Sequence, residues 1–210
     1  MPPNRLDQRR ARTRAALLGA ARDLLVSRAP AEVSIQEITE AADVGFGSFY
    51  NHFESKQALF DQAIAQVAAE HQELLDAATA GLTDPAEVLS AAVRLTVRLP
   101  RTHPHLARVI DRAGLAYLEP LAPVVVRFLR HAHNVGRLCF DDGGVALSCL
   151  GGATLGALRH TLTVAAPDAD LSETDQAARQ AALGLLRLFG VPEIDARRIA
   201  ARPLPAPVTD

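Results

Sequence analysis

The run from Ser34 to Lys56, SIQEITEAADVGFGSFYNHFESK, constrains this chain more than any other stretch. It opens with a serine three residues ahead of Glu37, the spacing in which a cap hydroxyl and an N3 carboxylate satisfy each other's helix-end backbone groups. Val33 stands where it can pack on Ile38 as a hydrophobic staple. Ile35, Ile38, Ala41 and Ala42 recur at three- and four-residue intervals, which lays one buried stripe along a helix of about two turns. Asp43, Val44 and Gly45 then supply a polar residue, an apolar plug and a glycine free of Cβ constraint. That suits a reversal of a few residues, with Gly45 as the cap of the next helix.

In the second helix Phe49 and Phe53 are four residues apart and share a face, so they bury together and leave Phe46, Gly47, Ser48, Asn51 and His52 largely off that face. Gly47 inside so short a helix costs about 1 kcal/mol relative to alanine, a cost that makes sense where another backbone or a base edge must come close. Ser55 caps a third helix. Lys56 in its first turn puts a cation where the helix macrodipole prefers an anion, and a phosphate at that end would satisfy both. Two short helices, a tight turn and the start of a third make a helix-turn-helix.

The ordered positions I-T-E-A-A-D-V-G-x-G-S-F-Y-N-H-F-x-S-K, Ile38 to Lys56, resemble the DNA-binding signature of the tetracycline-repressor (TetR) family of one-component bacterial regulators. The resemblance covers roughly residues 10 to 60. Members often carry serine in place of Gly45, lysine in place of Phe46, and glycine where this chain has Ala29-Pro30. The resemblance implies an all-α protein, with residues 1–56 as a DNA-binding helix-turn-helix domain bearing a basic N-terminal arm and 57–210 as a helical bundle for effector binding and dimerisation. It also implies a cytoplasmic homodimeric repressor on a palindromic operator of double-stranded DNA, released by a small-molecule effector. Phe46, Ser48 and His52 then read bases, Gly45 and Gly47 permit approach, and Ser34, Tyr50, Asn51, Lys56 and the arginine arm hold phosphates. For Phe46 and Tyr50, packing against Phe49 and Phe53 in the core is the competing reading.

Composition agrees with a helical reading. The 210 residues are 49% apolar but only 4% aromatic, rich in alanine and leucine, and no run alternates with period two for long enough to make a strand. A net charge of −2 hides an uneven distribution, because residues 1–14 carry Arg5, Arg9, Arg10, Arg12 and Arg14 against Asp7 alone. A local basic arm is the electrostatic footprint of a duplex. Cys139 and Cys149 lack metal or redox spacing, which predicts buried thiols in a reducing compartment. No apolar core follows the N-terminal arginines, so no signal peptide is read there. Residues 143–158, GGVALSCLGGATLGAL, are the most apolar run, but Asp141, Asp142 and Arg159 bound it below a bilayer span. It reads as a buried helix, and no membrane partner is expected.

Periodicity and punctuation place the remaining helices. The first runs from Leu6 or Thr13 to Arg28 and stops at Ala29-Pro30, and a long fourth helix runs from Ser55 to Gly81. Further helices are expected near 85–99, 104–113, 119–136, 142–165, 173–189 and 193–201, with a frayed proline-rich tail over the last eight residues. Gly152, Ala153, Gly156 and Ala157 let another backbone approach the 142–165 helix closely. With the amphipathic helix carrying Ala177, Ala181, Leu185 and Leu188, it can build half of a four-helix interface with a second copy, or pack within one chain.

The bundle should hold a mostly apolar cavity, with Arg127, His131 and Cys149 as candidate wall residues that orient an effector. The pairs His103/His105 and His131/His133 raise the alternative of a metal-dependent sensor or enzyme built on the C-terminal histidines. Residues two apart on a helix point about 200° from each other and cannot share one ion, although His103-Pro104-His105 can regain a common face if extended. No G-x-S-x-G elbow or phosphate-binding G-x-x-x-x-G-K-[ST] loop is present, so no enzyme, cofactor or metal is assigned. A helix-turn-helix used only for protein contact is the remaining rival.

Overall fold

A computed structural model of the chain describes residues 4–164 and 171–204, and these form ten α-helices and two short 3-10 turns with no strand among the described residues. Helix α1 (Arg5–Leu25) starts at Asn4, whose side chain accepts from the Leu6 amide, and buries Leu17, Leu18, Ala21 and Leu25. It stops three residues short of Arg28. Val26 and Ser27 bond back to Asp23 and Leu24, which tightens the last turn, while the Arg28 guanidinium turns to Glu37 and to the Glu32 carbonyl. The five N-terminal arginines therefore belong to a helix from Arg5 onward rather than to an extended arm.

A 3-10 turn (Pro30–Glu32) leads into α2 (Ile35–Ala41), α3 (Phe46–Phe49) and α4 (Lys56–Thr79). The capping box closes on both sides, with the Glu37 amide 3.2 Å from Ser34 Oγ and the Ser34 amide 2.8 Å from Glu37 Oε2. The residue that turns the chain between α2 and α3 is Asp43, at φ +53°, and not Gly45, whose φ of −65° and ψ of 140° are those of an ordinary extended cap. Aspartate tolerates the left-handed region better than most residues, and the Val44 amide then reaches the Thr39 carbonyl at 3.0 Å to close the helix end.

The rest is α5 (Pro85–Thr102), α6 (Pro104–Ala113), a 3-10 turn (Gly114–Leu118), α7 (Ala122–Asn134), α8 (Gly143–Val164), α9 (Leu171–Leu188) and α10 (Glu193–Ala201). Pro100 lies inside α5 instead of ending it. The helix continues to the His103 cap, where the His103 amide bonds the Leu99 carbonyl at 2.8 Å, and the proline removes only the bond that its own amide would have donated to the Thr96 carbonyl. From residue 205 on, the expected fraying of the tail lies outside the described residues.

Two apolar cores organise the helices. One contains Leu17, Ile38, Phe49, Phe53 and Phe60 and runs without a break into Leu106, Ile110 and Tyr117, so α6 rests on the same core as the helix-turn-helix. The other joins α5, α7, α9 and α10 through Val97, Leu129, Leu186 and Ile199. Helix α8 is not the fully buried rod expected from its composition. Ala146, Gly151, Leu158 and Thr161 face inward, while Val145, Ser148, Cys149, Gly152, Ala153 and Gly156 are exposed, because neighbouring helices cover only one side of it. Cys139 is exposed as well, so neither thiol is buried. No helix among the described residues is long and apolar enough to cross a membrane.

Candidate functional site

The surface around α3 is built by exposing one set of side chains and fixing another beneath it. Phe49 and Phe53 are buried with their rings 5.9 Å apart, which anchors the four-residue helix. Phe46 is 54% exposed and Tyr50 57% exposed, edge to face at 6.2 Å, so neither is a core residue. Gly45, Gly47 and Asn51 are exposed beside them, and Ser48 and His52 are half-buried. A Cβ on Gly47 would meet nothing within 4 Å, so the space over that backbone is open to a partner from outside.

Two cations hold this surface from behind. One guanidinium nitrogen of Arg14 donates to the His52 carbonyl at 2.7 Å, the other bonds the Gln62 side chain, and Arg14 Cζ sits 4.3 Å over the Phe53 ring. Arg14 thus clamps the end of the reading segment to α1 and α4, a role the N-terminal run of arginines does not reveal. Arg5, Arg9 and Arg12, four and three residues apart, are exposed along one face of α1. Burial first, then Arg10 and Arg14, lower the His52 pKa, so its imidazole is neutral near neutral pH. Lys56 Nζ donates to the Val33 carbonyl at 2.7 Å. Ser34 Oγ is occupied by Glu37, whose carboxyl is held down to about 2 by Arg28 and then by the Ser34 amide and hydroxyl.

In the bundle a cavity of about 440 Å³ lies between α4, α5, α7 and α8. Its walls are largely aliphatic, with Leu75, Val93, Leu121, Phe128 and Leu150 among them, and its polar floor is a hydrogen-bonded chain of three buried residues. His71 is 2% exposed and Tyr117 3% exposed; the Tyr117 hydroxyl bonds His71 Nδ1, and Thr96 Oγ1 lies 3.2 Å from His71 Nε2. Burial, with His103 adding to it, draws the His71 pKa down to about 4. Arg127 and His131 line the cavity from exposed positions, but Cys149 stands apart on the outer face of α8. The floor residues were missed in the sequence. His71 follows Ile64, Val67 and Ala68 at three- and four-residue spacing, on the apolar stripe of α4, and that is the signal that could have found it.

The paired histidines have no such surroundings. His103 takes the non-helical cap before α6 with φ −142°, and His133 stacks against Phe140 at 5.0 Å. Among the described residues no three metal-ligating side chains converge.

Comparison with known proteins gives two family matches. Residues 17–63 match bacterial regulatory proteins of the tetR family, and residues 84–202 match the tetracyclin repressor-like C-terminal domain. An uncharacterized HTH-type transcriptional regulator of Mycobacterium tuberculosis is 30% identical over 91 residues, 43% of this chain and 45% of that protein, so the match spans less than half of the relative. Among solved structures, RolR in complex with resorcinol is 30% identical, with a TM-score of 0.68 over 95% of this chain and 98% of its own. NalD, the secondary repressor of the MexAB-OprM multidrug efflux pump in Pseudomonas aeruginosa, shares the fold at 21% identity, with a TM-score of 0.60 over 85% of this chain and 96% of its own.

Proposed function

Because the chain belongs to the tetR family of bacterial transcriptional regulators, we propose that it acts in the cytoplasm as a homodimeric repressor, released from a palindromic operator when a small, largely apolar effector fills the cavity. One observation carries this reading: α4 serves both ends. It begins with Lys56 beside α2, and fifteen residues on it lines the cavity with His71, Gln72 and Leu75. At helical rise those points lie about 22 Å apart. No glycine or proline interrupts the helix between them, so a shift at the cavity carries to the reading end.

In the DNA-bound form Phe46, Ser48 and His52 face base edges, with Gly45 and Gly47 allowing close approach. Tyr50, Asn51 and Lys56 hold phosphates, and the exposed arginine face of α1 adds charge; Ser34, expected to join them, has its hydroxyl and amide hydrogens committed to Glu37. The outward side of α8, with Val145, Gly152, Ala153 and Gly156, is exposed, as are Gly184 and Leu188 of α9, and this supports pairing with a second copy through these two helices. Two reading helices related by a twofold axis then meet successive major grooves. RolR, whose structure holds resorcinol, supports an effector built on a small aromatic ring.

Release requires that the effector bind the free dimer more tightly than the operator complex, since equal affinities shift nothing. Fluorescence anisotropy on the DNA upstream of the chain's own gene would identify the operator, and calorimetry of an inducing compound on both forms would compare the affinities. Equal affinities would sink the release mechanism.

A further inference from the structure

The polar floor of the cavity has a fixed arrangement of protons. Thr96 has one hydroxyl hydrogen, and it goes to the Ala92 carbonyl, 2.8 Å away one turn back on α5, an atom that can only accept. In the 3.2 Å contact with His71 Nε2 Thr96 Oγ1 is therefore the acceptor, and Nε2 carries the imidazole hydrogen. A neutral imidazole has only one, and burial keeps His71 neutral. Nδ1 is left as a lone pair, so the Tyr117 hydroxyl donates to it. Burial also raises the Tyr117 pKa, which keeps that hydrogen in place. Every hydrogen in the relay Tyr117, His71, Thr96, Ala92 is committed in one direction, toward α5. What remains at its open end is the acceptor capacity of Tyr117 Oη.

We infer that this cavity selects effectors that present an uncharged hydrogen-bond donor, a phenolic hydroxyl above all, to Tyr117, and turns away ethers and carboxylates of the same shape. The inference rests on reading this cavity as the effector site. A ligand O–H extends the relay by one link without disturbing it. An ether or carboxylate oxygen meets Tyr117 lone pair to lone pair. To receive it, Tyr117 would have to swing its hydrogen into the cavity and leave His71 Nδ1 buried and unpaired. A carboxylate would also bury its charge against aliphatic walls, while Arg127 and His131, which could hold it, are exposed to competing water. A phenol is preferred to an alkanol because its O–H is the stronger donor and its ring matches walls that include Phe128.

The test is titration calorimetry of the full chain with three probes that share one apolar body: 4-butylphenol, 4-butylanisole and 4-butylbenzoate. The phenol is expected to bind about tenfold or more tightly than either of the others, the worth of one buried hydrogen bond. Tyr117→Phe should bring phenol and ether to within about twofold, because the phenol loses its acceptor and the ether no longer meets a lone pair. Thr96→Val supplies a second variant that leaves Tyr117 in place. Without Thr96 as acceptor His71 is free to carry its hydrogen on Nδ1, Tyr117 can then donate into the cavity, and the ether should gain on the phenol. Ether or benzoate binding as tightly as phenol, or a phenol preference that survives Tyr117→Phe, would overturn the inference while the effector-site reading stands. Failure of all three probes to bind would overturn both.

Discussion

Lys56 Nζ lies 2.7 Å from the carbonyl oxygen of Val33, so the first residue of α4 is tied to the residue just ahead of the α2 cap. A lysine in the first turn is poorly placed against the helix macrodipole, and the Val33 carbonyl offsets this by accepting one of its three hydrogens. The other two remain for a phosphate. In the proposed mechanism Lys56 then has two roles, joining the moving helix to the helix-turn-helix and meeting the duplex at the same point.

Lys56→Ala is expected to lower stability by about 1.5–3 kcal/mol, the range for a hydrogen bond to a charged group, and to weaken binding to every duplex. Urea unfolding reads the first effect. Anisotropy against salt concentration reads the second, where the logarithmic slope should fall by about one. A stability loss with the wild-type salt slope would leave Lys56 only the internal role.

Arg14→Ala removes the bond to the His52 carbonyl and the cation over Phe53 together. About 1–3 kcal/mol of stability should go with them, and operator affinity should fall because the end of the reading segment loses its clamp. Arg9→Ala, on the exposed face of α1, serves as the comparison: it should lower affinity through charge alone and leave the urea midpoint in place. Equal midpoints for the two variants would contradict the clamp.

Phe46→Lys should leave the melting temperature close to wild type, since Phe46 is more than half exposed and touches Tyr50 only edge-on. In the proposed DNA-bound form its ring meets thymine methyls, so lysine should change which bases are preferred. Selection of bound duplexes from a random pool would read the preference. An unchanged preference with a large drop in melting temperature would count against this placement.

The sequence disclosed most where the controlling signals are local. The Ser34–Glu37 box, the Phe49/Phe53 pair, and the proline starts of α5 and α6 each depend on residues within four positions, and the structure repeats them. The reversal at Asp43, Val44 and Gly45 and the cap at Gly45 were legible too, but not which of the three takes the left-handed conformation, because a glycine adopts it with less strain than the aspartate that does. The half-exposure of α8 was illegible because composition reports how apolar a helix is and not how many neighbours it has. Arg14 could not be told from the other arginines of its run, since its partners His52 and Gln62 are 38 and 48 residues away. The floor of the cavity draws Tyr117 and Thr96 to His71 across 46 and 25 residues, from three different elements, and only the fold assembles it.

A Cβ at Gly152 would meet nothing within 4 Å inside the chain, so Gly152→Glu should fold normally and gain slightly in helix propensity. On a paired α8 face the same carboxylate would be buried without a partner. Sedimentation velocity should then show a monomer, with operator binding lost. A dimer that persists would move the interface elsewhere.

His71 gives the fold a specific pH dependence. Unfolded, it takes up a proton near its ordinary value of 6.5, whereas in the folded chain burial delays this to about 4. Between those values the unfolded chain binds more protons, so the stability that His71 contributes is complete above pH 6.5 and declines as the pH falls toward 4. The loss should reach about 2 kcal/mol at pH 5 and roughly 3 kcal/mol by pH 4. Glu37 and Glu193, both with folded values of about 2 against an ordinary 4.5, add their own losses only below 4.5, so the window from 6.5 to 5 excludes them; His52, whose pKa is also lowered, titrates there too, and the comparison with a His71 variant separates the two histidines. His71→Gln keeps a donor for Thr96 and an acceptor for Tyr117 and has no proton to gain. Urea unfolding at pH 7.5 and pH 5, at fixed protein concentration because the proposed dimerisation would be linked to stability, should therefore show a large drop for the wild type and a smaller one for the variant. Equal drops would mean that His71 protonates without unfolding, and that its burial is looser than the Tyr117 and Thr96 bonds imply.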